Sequence, residues 1–418
     1  MSTPSLPFEV LHPIFVDLFG SPLSTSLRRQ RRLPHPTNIH QVASVKESLR
    51  DLANVAVICR VWSHVAAEVL YRRVFLLDIR GLRCFSRTIK ENPSLGSLVR
   101  EIWVLQDRPV KSSWIRSTFG MGHNLDRQSL RLELADALRH CINIQKLAFT
   151  ADVEDTKPIF IPWDADFINE SSIGPRLRFL DVYSNHLTSP HFEVIPKGSR
   201  LIRLEELTLS STCLNRGDNF PVFANLHTLN LCGVGVALGG QKPNTLKITC
   251  PSFPVLRNLL LSYISVRVEI DEKCKSKLHS LCCFGDMAVQ TYRSWISRDT
   301  QAFGDLRELE IDYPMPSLPP SLETLILYTK MSVNPLANPP LLNPMVLIGL
   351  QQSLIPLIPT LPRFSKLCLR LSSFEDAWDS SQTNRALDEI SRLLRTYDAS
   401  VQVQRWIDQH SGYVDYLY

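Results

Sequence analysis

Leu177-Arg178-Phe179-Leu180-Asp181-Val182-Tyr183-Ser184-Asn185-His186-Leu187 spells out the pattern L-x-x-L-x-L-x-x-N-x-L. Its spacing has a physical meaning. Residues two apart share one face of an extended strand, so Leu180 and Val182 enter one core while Phe179, Asp181 and Tyr183 face the other way. One such strand cannot bury its apolar side alone, and stacked neighbours supply the rest of the core.

The first six positions of the pattern recur along the chain without the Asn. Val99-x-x-Ile102-x-Val104 and Ile144-x-x-Leu147-x-Phe149 precede it. Leu204-x-x-Leu207-x-Leu209, Leu226-x-x-Leu229-x-Leu231, Leu256-x-x-Leu259-x-Leu261 and Leu278-x-x-Leu281-x-Cys283 follow. Leu306-x-x-Leu309-x-Ile311, Leu322-x-x-Leu325-x-Leu327 and Phe364-x-x-Leu367-x-Leu369 complete the set. Most of the middle steps lie near the roughly 20–29-residue period of a leucine-rich repeat. The long steps after Val104 and Leu327 require extra structure, and helices over Asp126–His140 (Leu130, Leu134, Leu138) and Met345–Leu357 fill them. The step from Leu306 to Leu322 is too short for a helix, and Pro314, Pro316, Pro319 and Pro320 predict an extended return. A helix over Ser380–Tyr397, with Ala386, Ile390, Leu393 and Leu394 on one stripe, supplies the cover that a terminal repeat needs. The expected fold class is α/β. A short all-α module over 1–72 precedes an irregular leucine-rich-repeat solenoid over 73–400, of parallel short strands with helical or extended returns, and 401–418 form a C-terminal tail.

In the N-terminal module, Leu6, Val10, Leu11, Ile14, Phe15 and Leu18 make one helical stripe after a Ser5 cap, with Pro7 in the first turn. Pro13 removes a backbone bond at a cost of roughly 3 kcal/mol and predicts a kink or two short pieces. Pro22, Pro34, Pro36 and the run Arg28-Arg29-Gln30-Arg31-Arg32 predict a disordered insertion at about 20–47. From Ser48 the helical spacing resumes in Leu49, Leu52, Val55, Ala56 and Cys59, and after Val61-Trp62 a second stripe runs through Val65, Ala66, Val69 and Leu70. Helices this short need a partner surface.

The motifs at the ends of this module are Leu6-Pro7-x-Glu9-Val10-Leu11-x-x-Ile14, Ile58-Cys59-Arg60-x-Trp62 and Leu70-Tyr71-Arg72-Arg73-Val74. In that order the module resembles a split F-box of the fungal type, over about a sixth of the chain. The resemblance implies docking on a Skp-type adaptor, and through it on a cullin, by Leu6, Pro7, Val10, Leu11, Ile14, Leu52, Val55, Cys59 and Trp62. It implies a non-catalytic substrate receptor of an SCF-type (Skp-cullin-F-box) E3 ubiquitin ligase, with a client protein held on the repeats. A leucine-rich-repeat scaffold with no ubiquitin role is the alternative, and an enzyme with a site assembled from scattered residues is a third reading.

Composition narrows the classes. Of 418 residues 44% are hydrophobic and 21% charged, which is ordinary for a globular chain. Residues 1–100 hold 14 Lys and Arg against 7 Asp and Glu, leaving 32 against 34 in the remainder. No concentrated basic face for nucleic acid follows from that balance. The ten cysteines show no C-x-x-C, and adjacent Cys282 and Cys283 point to opposite strand faces, so neither a metal site nor a disulfide framework is expected. The expectation is a reduced, intracellular protein, cytoplasmic and/or nuclear, without a secretory signal or membrane span. No G-x-S-x-G, phosphate-binding loop, H-E-x-x-H or kinase set occurs, so no catalytic residue and no cofactor is assigned. Gly233-Val234-Gly235 reads as a repeat-return loop, and His186 and His191 as surface residues.

The remaining candidates are strand residues facing away from the leucines. Period two puts Trp103, Phe179, Asp181, Tyr183, Glu206, Thr208, Asn230 and Asn258 on a concave surface, followed by Phe284, Glu308, Glu310, Asp312 and Tyr328. Three carboxylates in a row, Glu308, Glu310 and Asp312, repel one another unless a cation meets them. They fit a client protein with a basic segment, and equally a solvated strand face that holds no ligand.

Overall fold

A computed structural model describes residues 8–15, 39–58, 60–76, 79–104, 132–151, 167–168, 171–184, 201–210, 213–214, 220–236, 245–297, 299–312, 317–329, 344–354, 356–372 and 381–406. The chain divides into two compact units, Met1–Asn244 with Pro251–Pro254, and Thr245–Cys250 with Val255–Tyr418. The division falls among the strands.

The first unit opens with three helices, α1 (Phe8–Phe15), α2 (Ile39–Ala56) and α3 (Arg60–Arg72). Leu11 and Phe15 of α1, Leu52 of α2, and Val65, Ala66 and Val69 of α3 close one core, with Val55, Ala56, Trp62 and Leu70 packed around it. Two expectations change here. The α1 stretch is one helix that includes Pro13, not two pieces. The lost bond is offset by Leu11 and Phe15, which pack on either side of the proline in sequence. The insertion expected at 20–47 is helical from Ile39 onward. In the sequence, Ile39, Val42 and Val45 continue the spacing of Leu49 and Leu52, a periodicity that the expectation of an insertion passed over. Residues 20–38, with the arginine run, lie outside the described residues.

The strands follow directly. In the first unit they are β1 (Arg73–Leu76), β2 (Glu101–Val104), β3 (Lys146–Ala151), β4 (Phe179–Ser184), β5 (Glu206–Ser210), β6 (Cys213–Leu214), β7 (Thr228–Cys232) and β8 (Gly235–Val236). Strands β1, β2, β3, β4, β5 and β7 are hydrogen-bonded neighbours in that order, and every pairing is parallel. Strands β6 and β8 form a separate short ladder. In the second unit the strands are β9 (Thr245–Ile248), β10 (Asn258–Ser262), β11 (Arg267–Ile270), β12 (Ser280–Phe284), β13 (Glu308–Asp312), β14 (Thr324–Thr329), β15 (Lys366–Ser372) and β16 (Ser400–Trp406). Strands β10, β12, β13, β14, β15 and β16 again pair in parallel sequence, with β9 and β11 as a second ladder. The fold is thus mixed α/β and solenoid-like.

Each of the ten sequence motifs forms a strand of these two arrays, and its three apolar residues are buried. The motifs also set the register: Leu147, Leu180, Leu207 and Leu229 are successive partners, as are Leu281, Leu309, Leu325 and Leu367. Two hydrogen-bond patterns explain why one spacing produces one geometry. The N–H of the first motif residue donates three residues back, as in Leu204 to Leu201, Leu226 to Phe223, Leu306 to Phe303 and Phe364 to Leu361, closing a turn before each strand. The carbonyl of the second motif residue then accepts two N–H groups from the following strand. Arg178 O takes Glu205 and Glu206, Glu205 O takes His227 and Thr228, and His279 O takes Arg307 and Glu308. A one-residue slip would forfeit both bonds and turn the leucines outward.

The returns hold one further correction and one addition. Helices occupy Pro344–Leu354 and Ser381–Arg395, and residues 132–139 are helical, as the long steps and the C-terminal cover require. The tail expected from 401 instead begins as β16, whose Val401 and Val403 stand opposite Leu367 and Leu369 of β15. Val401-x-Val403 is an alternating pair that lacks the leading apolar position of the motif. The Asp286–Ile296 helix was not expected, although Ala288, Val289, Tyr292 and Ile296 are spaced for it and buried. Among the described residues no helix is long and apolar enough to cross a membrane.

Candidate functional site

The N-terminal motifs divide into two groups by burial. Leu11 (2% exposed) and Leu52 (3%) lie inside the module's own core. Trp62 packs edge-on against Phe15, ring centroids 5.6 Å apart at 83°, and Val55 lies against the same core. These four residues hold the three helices together; Leu11 and Leu52 are enclosed, while Val55 and Trp62 keep part of their surface open. Val10 (44%) and Ile14 (42%) are exposed one turn apart on the other side of α1, and Val57 and Ile58 are exposed at the corner after α2. Leu6, Pro7 and Cys59 lie outside the described residues. Side chains i and i+4 share a helix face, so Leu11 and Phe15 turn inward together and Val10 and Ile14 outward together.

The strand face opposite the leucines differs more from expectation. In the first unit it is a packed polar network. Arg73 Nε lies 3.2 Å from Glu101 Oε2, which also accepts from Trp103 Nε1 at 3.2 Å. The Trp103 ring stacks on Phe75, and Lys146 Nζ stands 4.3 Å from the Trp103 ring centroid. The same ammonium lies 2.8 Å from Asp181 Oδ2, while Asp181 Oδ1 is buried with no hydrogen-bond partner. Further along, Asn230 Nδ2 donates to Glu206 Oε1 at 3.3 Å and to Thr208 Oγ1 at 3.1 Å. Trp103, Asp181, Glu206, Thr208 and Asn230 are therefore buried, and Phe179 is half-buried. Strands in register at about 4.8 Å stack like positions into columns that cover one another. The Cys232 thiol ends this face, pushed up to about 12 by burial, so it stays protonated at neutral pH and is no nucleophile.

The acidic row of the second unit is corrected outright. Glu310 is 1% exposed and Asp312 is buried, leaving only Glu308 half-exposed. Glu310 stands between Cys282 and Ile326 on the neighbouring strands, in a row that presents no charge to solvent. Asp312 braces the backbone instead. Its Oδ2 accepts the N–H of Gly285 at 2.7 Å, at the corner where β12 turns into the Asp286–Ile296 helix. Gly285 has φ 83°, and a Cβ there would lie 3.3 Å from Tyr263 Cα. Asn258 is half-buried, Phe284 is buried, and the side chains of Tyr183 and Tyr328 lie outside the described ones.

In each unit, described polar side chains that are exposed or half-exposed lie at the positions where the strands begin. The second motif position is polar in all ten motifs: Arg100, Gln145, Arg178, Glu205, His227, Arg257, His279, Arg307, Glu323 and Ser365. Arg178 binds Glu205 through two hydrogen bonds of 2.8 Å, and Arg307 Nε lies 3.8 Å from Glu323 Oε1. The guanidinium of Arg178, by hydrogen bond first and charge second, holds the Glu205 carboxyl below its usual value. Strand alternation alone does not find this rim, because the second position precedes the strand. Its unbroken polarity between two apolar positions was the available signal.

His186 and His191 lie outside the described residues. Gly233, with φ 60°, turns the chain from β7 into β8, so the expected loop contains a short strand. Among the described residues no group of His, Cys, Asp and Glu side chains converges as a metal site, and the described cysteines are free thiols. Compared with models of known protein families and with curated proteins, the chain matches none.

Proposed function

We propose that the chain is a substrate receptor of an SCF-type ubiquitin ligase, in which the N-terminal helices dock a Skp-type adaptor and the strand arrays hold a client. One observation carries the reading: the helical module closes its own core and still leaves Val10, Ile14, Val57 and Ile58 exposed. Those side chains lie within or beside the Leu-Pro-x-Glu and Cys-Arg-x-Trp motifs that resemble an F-box. Full burial of an exposed side chain of this kind is worth roughly 1.5–3 kcal/mol, of which about half remains to be gained at Val10 and Ile14 and more at Val57 and Ile58. In this reading the receptor transfers nothing itself. It raises the local concentration of client lysines near a ubiquitin thioester carried by its partners. The client contacts the polar rim at the strand starts, since the opposite strand face is packed.

The scaffold reading has its own support. The α3 helix runs directly into β1, and Arg100 N donates to Arg72 O at 3.0 Å, so the helices also cap the strand array. Co-expression with a Skp-type adaptor separates the two. Wild type co-purifies with the adaptor, and Val10→Asp/Ile14→Asp loses it while keeping its helical content. An adaptor that never co-purifies with the folded wild type leaves the scaffold.

A further inference from the structure

The second unit places two thiols side by side at the open end of its smaller ladder. Strand β9 ends at Ile248 and β11 at Ile270, its register partner. Asp271 N donates to Ile248 O at 2.9 Å, which carries the pairing one residue further. The Asp271 side chain then ties both chain ends together. Its Oδ2 accepts from Cys250 N at 3.4 Å, and its Oδ1 accepts from Lys273 N at 3.0 Å. The short turn Glu272–Lys275 that follows carries Cys274, whose N–H donates to Asp271 O at 2.9 Å and whose thiol lies near enough to that of Cys250 to feel its charge. Lys277, one turn on, sets Nζ 3.8 Å from Cys250 Sγ.

The two sulfurs differ in surroundings. Cys274 is buried and Cys250 only half-buried. Burial pushes the Cys274 thiol up to about 12. Cys250 has solvent access, with the Lys277 ammonium 3.8 Å from its sulfur, so it is the sulfur an oxidant reaches first. That asymmetry divides the labour between an attacking and a resolving cysteine.

We propose that Cys250 and Cys274 are a modification site, a dithiol that a hydroperoxide converts into an intramolecular disulfide. The Cys250 thiolate attacks the terminal peroxide oxygen. The O–O bond breaks, the sulfur becomes a sulfenic acid, and the other oxygen leaves as alcohol or water after taking a proton. The Cys274 sulfur then attacks the Cys250 sulfur, the S–O bond breaks, and hydroxide departs with the Cys274 proton as water. Two thiols and one hydroperoxide yield one disulfide, one alcohol or water, and one water. The product fastens the end of β9 to the turn after β11, across the segment that contains β10. This reading does not depend on the ligase assignment.

The test uses the full-length reduced protein and dilute hydrogen peroxide, with peptide mapping under non-reducing conditions. The expected product links the Cys250 and Cys274 peptides, has lost two hydrogens, and reverts with a thiol reductant. In Cys274→Ser the sulfenic acid persists at Cys250 and is captured by a 1,3-dione, while Cys250→Ser leaves Cys274 reduced. Both thiols still fully alkylated after exposed Cys84 has been oxidised would overturn the proposal. A cross-link that instead joins either cysteine to a third one would overturn it equally.

Discussion

Replacing Lys146 by Met should destabilise the first unit far more than a surface charge change. The Lys146 and Asp181 side chains are 10% and 5% exposed, with 2.8 Å between Nζ and Oδ2. Because Asp181 Oδ1 already lacks a hydrogen bond, removing the ammonium leaves a buried carboxylate without its cation. Stranding one member of a buried pair costs about 3–5 kcal/mol. Met keeps an unbranched apolar stem at this position, and toward the Trp103 ring it gives up the cation–π attraction of the ammonium, about 0.5–2 kcal/mol. The double variant Lys146→Met/Asp181→Leu removes both charges, and its stability should return to near wild type, since apolar replacement of a buried pair is often neutral. Amide hydrogen exchange in β3 and β4 reads the local effect. The single variant should exchange roughly two to four powers of ten faster, and the double variant near the wild-type rate. A single-variant loss below about 1 kcal/mol would refute the argument that this pair is buried and interdependent. A double variant as unstable as the sum of its singles would refute it too.

Three further outcomes follow from the geometry. Gly285→Ala should cost about 1–3 kcal/mol, seen as a lower melting temperature, because φ 83° is strained for any side chain and Tyr263 crowds the Cβ. Arg178→Ala should cost only about 0.5 kcal/mol at pH 7, since the pair is 45% and 34% exposed and largely screened. The Glu205 carboxyl is held low in the folded chain, so the pair's contribution is complete above the ordinary carboxylate range and disappears as pH falls through the folded value; urea melts of both proteins should converge in acid. Leu52→Ala should cost about 2–5 kcal/mol and loosen the helical module, whereas Ile14→Asp should leave its circular dichroism unchanged within about 0.5 kcal/mol.

The apolar rhythm was legible because burial follows it residue by residue. Each L-x-x-L-x-L set occupies one side of a strand, and an apolar side chain has one favourable destination. The face opposite was not legible in the same way. Asp181, Glu206, Glu310 and Asp312 read as surface because isolated carboxylates favour water. Here they are enclosed by strand neighbours from distant parts of the chain: Lys146 for Asp181, Asn230 for Glu206 and the Gly285 N–H for Asp312. The helical module shows the same limit, since periodicity found its stripes but not which half of each stripe it keeps for itself.

By itself, the sequence determined the ten motif strands and their parallel stacking, because period two leaves a short segment one way to bury its leucines, whereas the two short ladders and the last strand carried no such motif. Only the tertiary structure decided which polar groups meet solvent. It buried the acidic row, left polar side chains exposed or half-exposed where the strands begin, and brought Cys250 beside Cys274. Apolar burial is a property of one residue's own chemistry. Polar exposure depends on whether some other part of the chain supplies a partner, and that is settled only when the chain is packed.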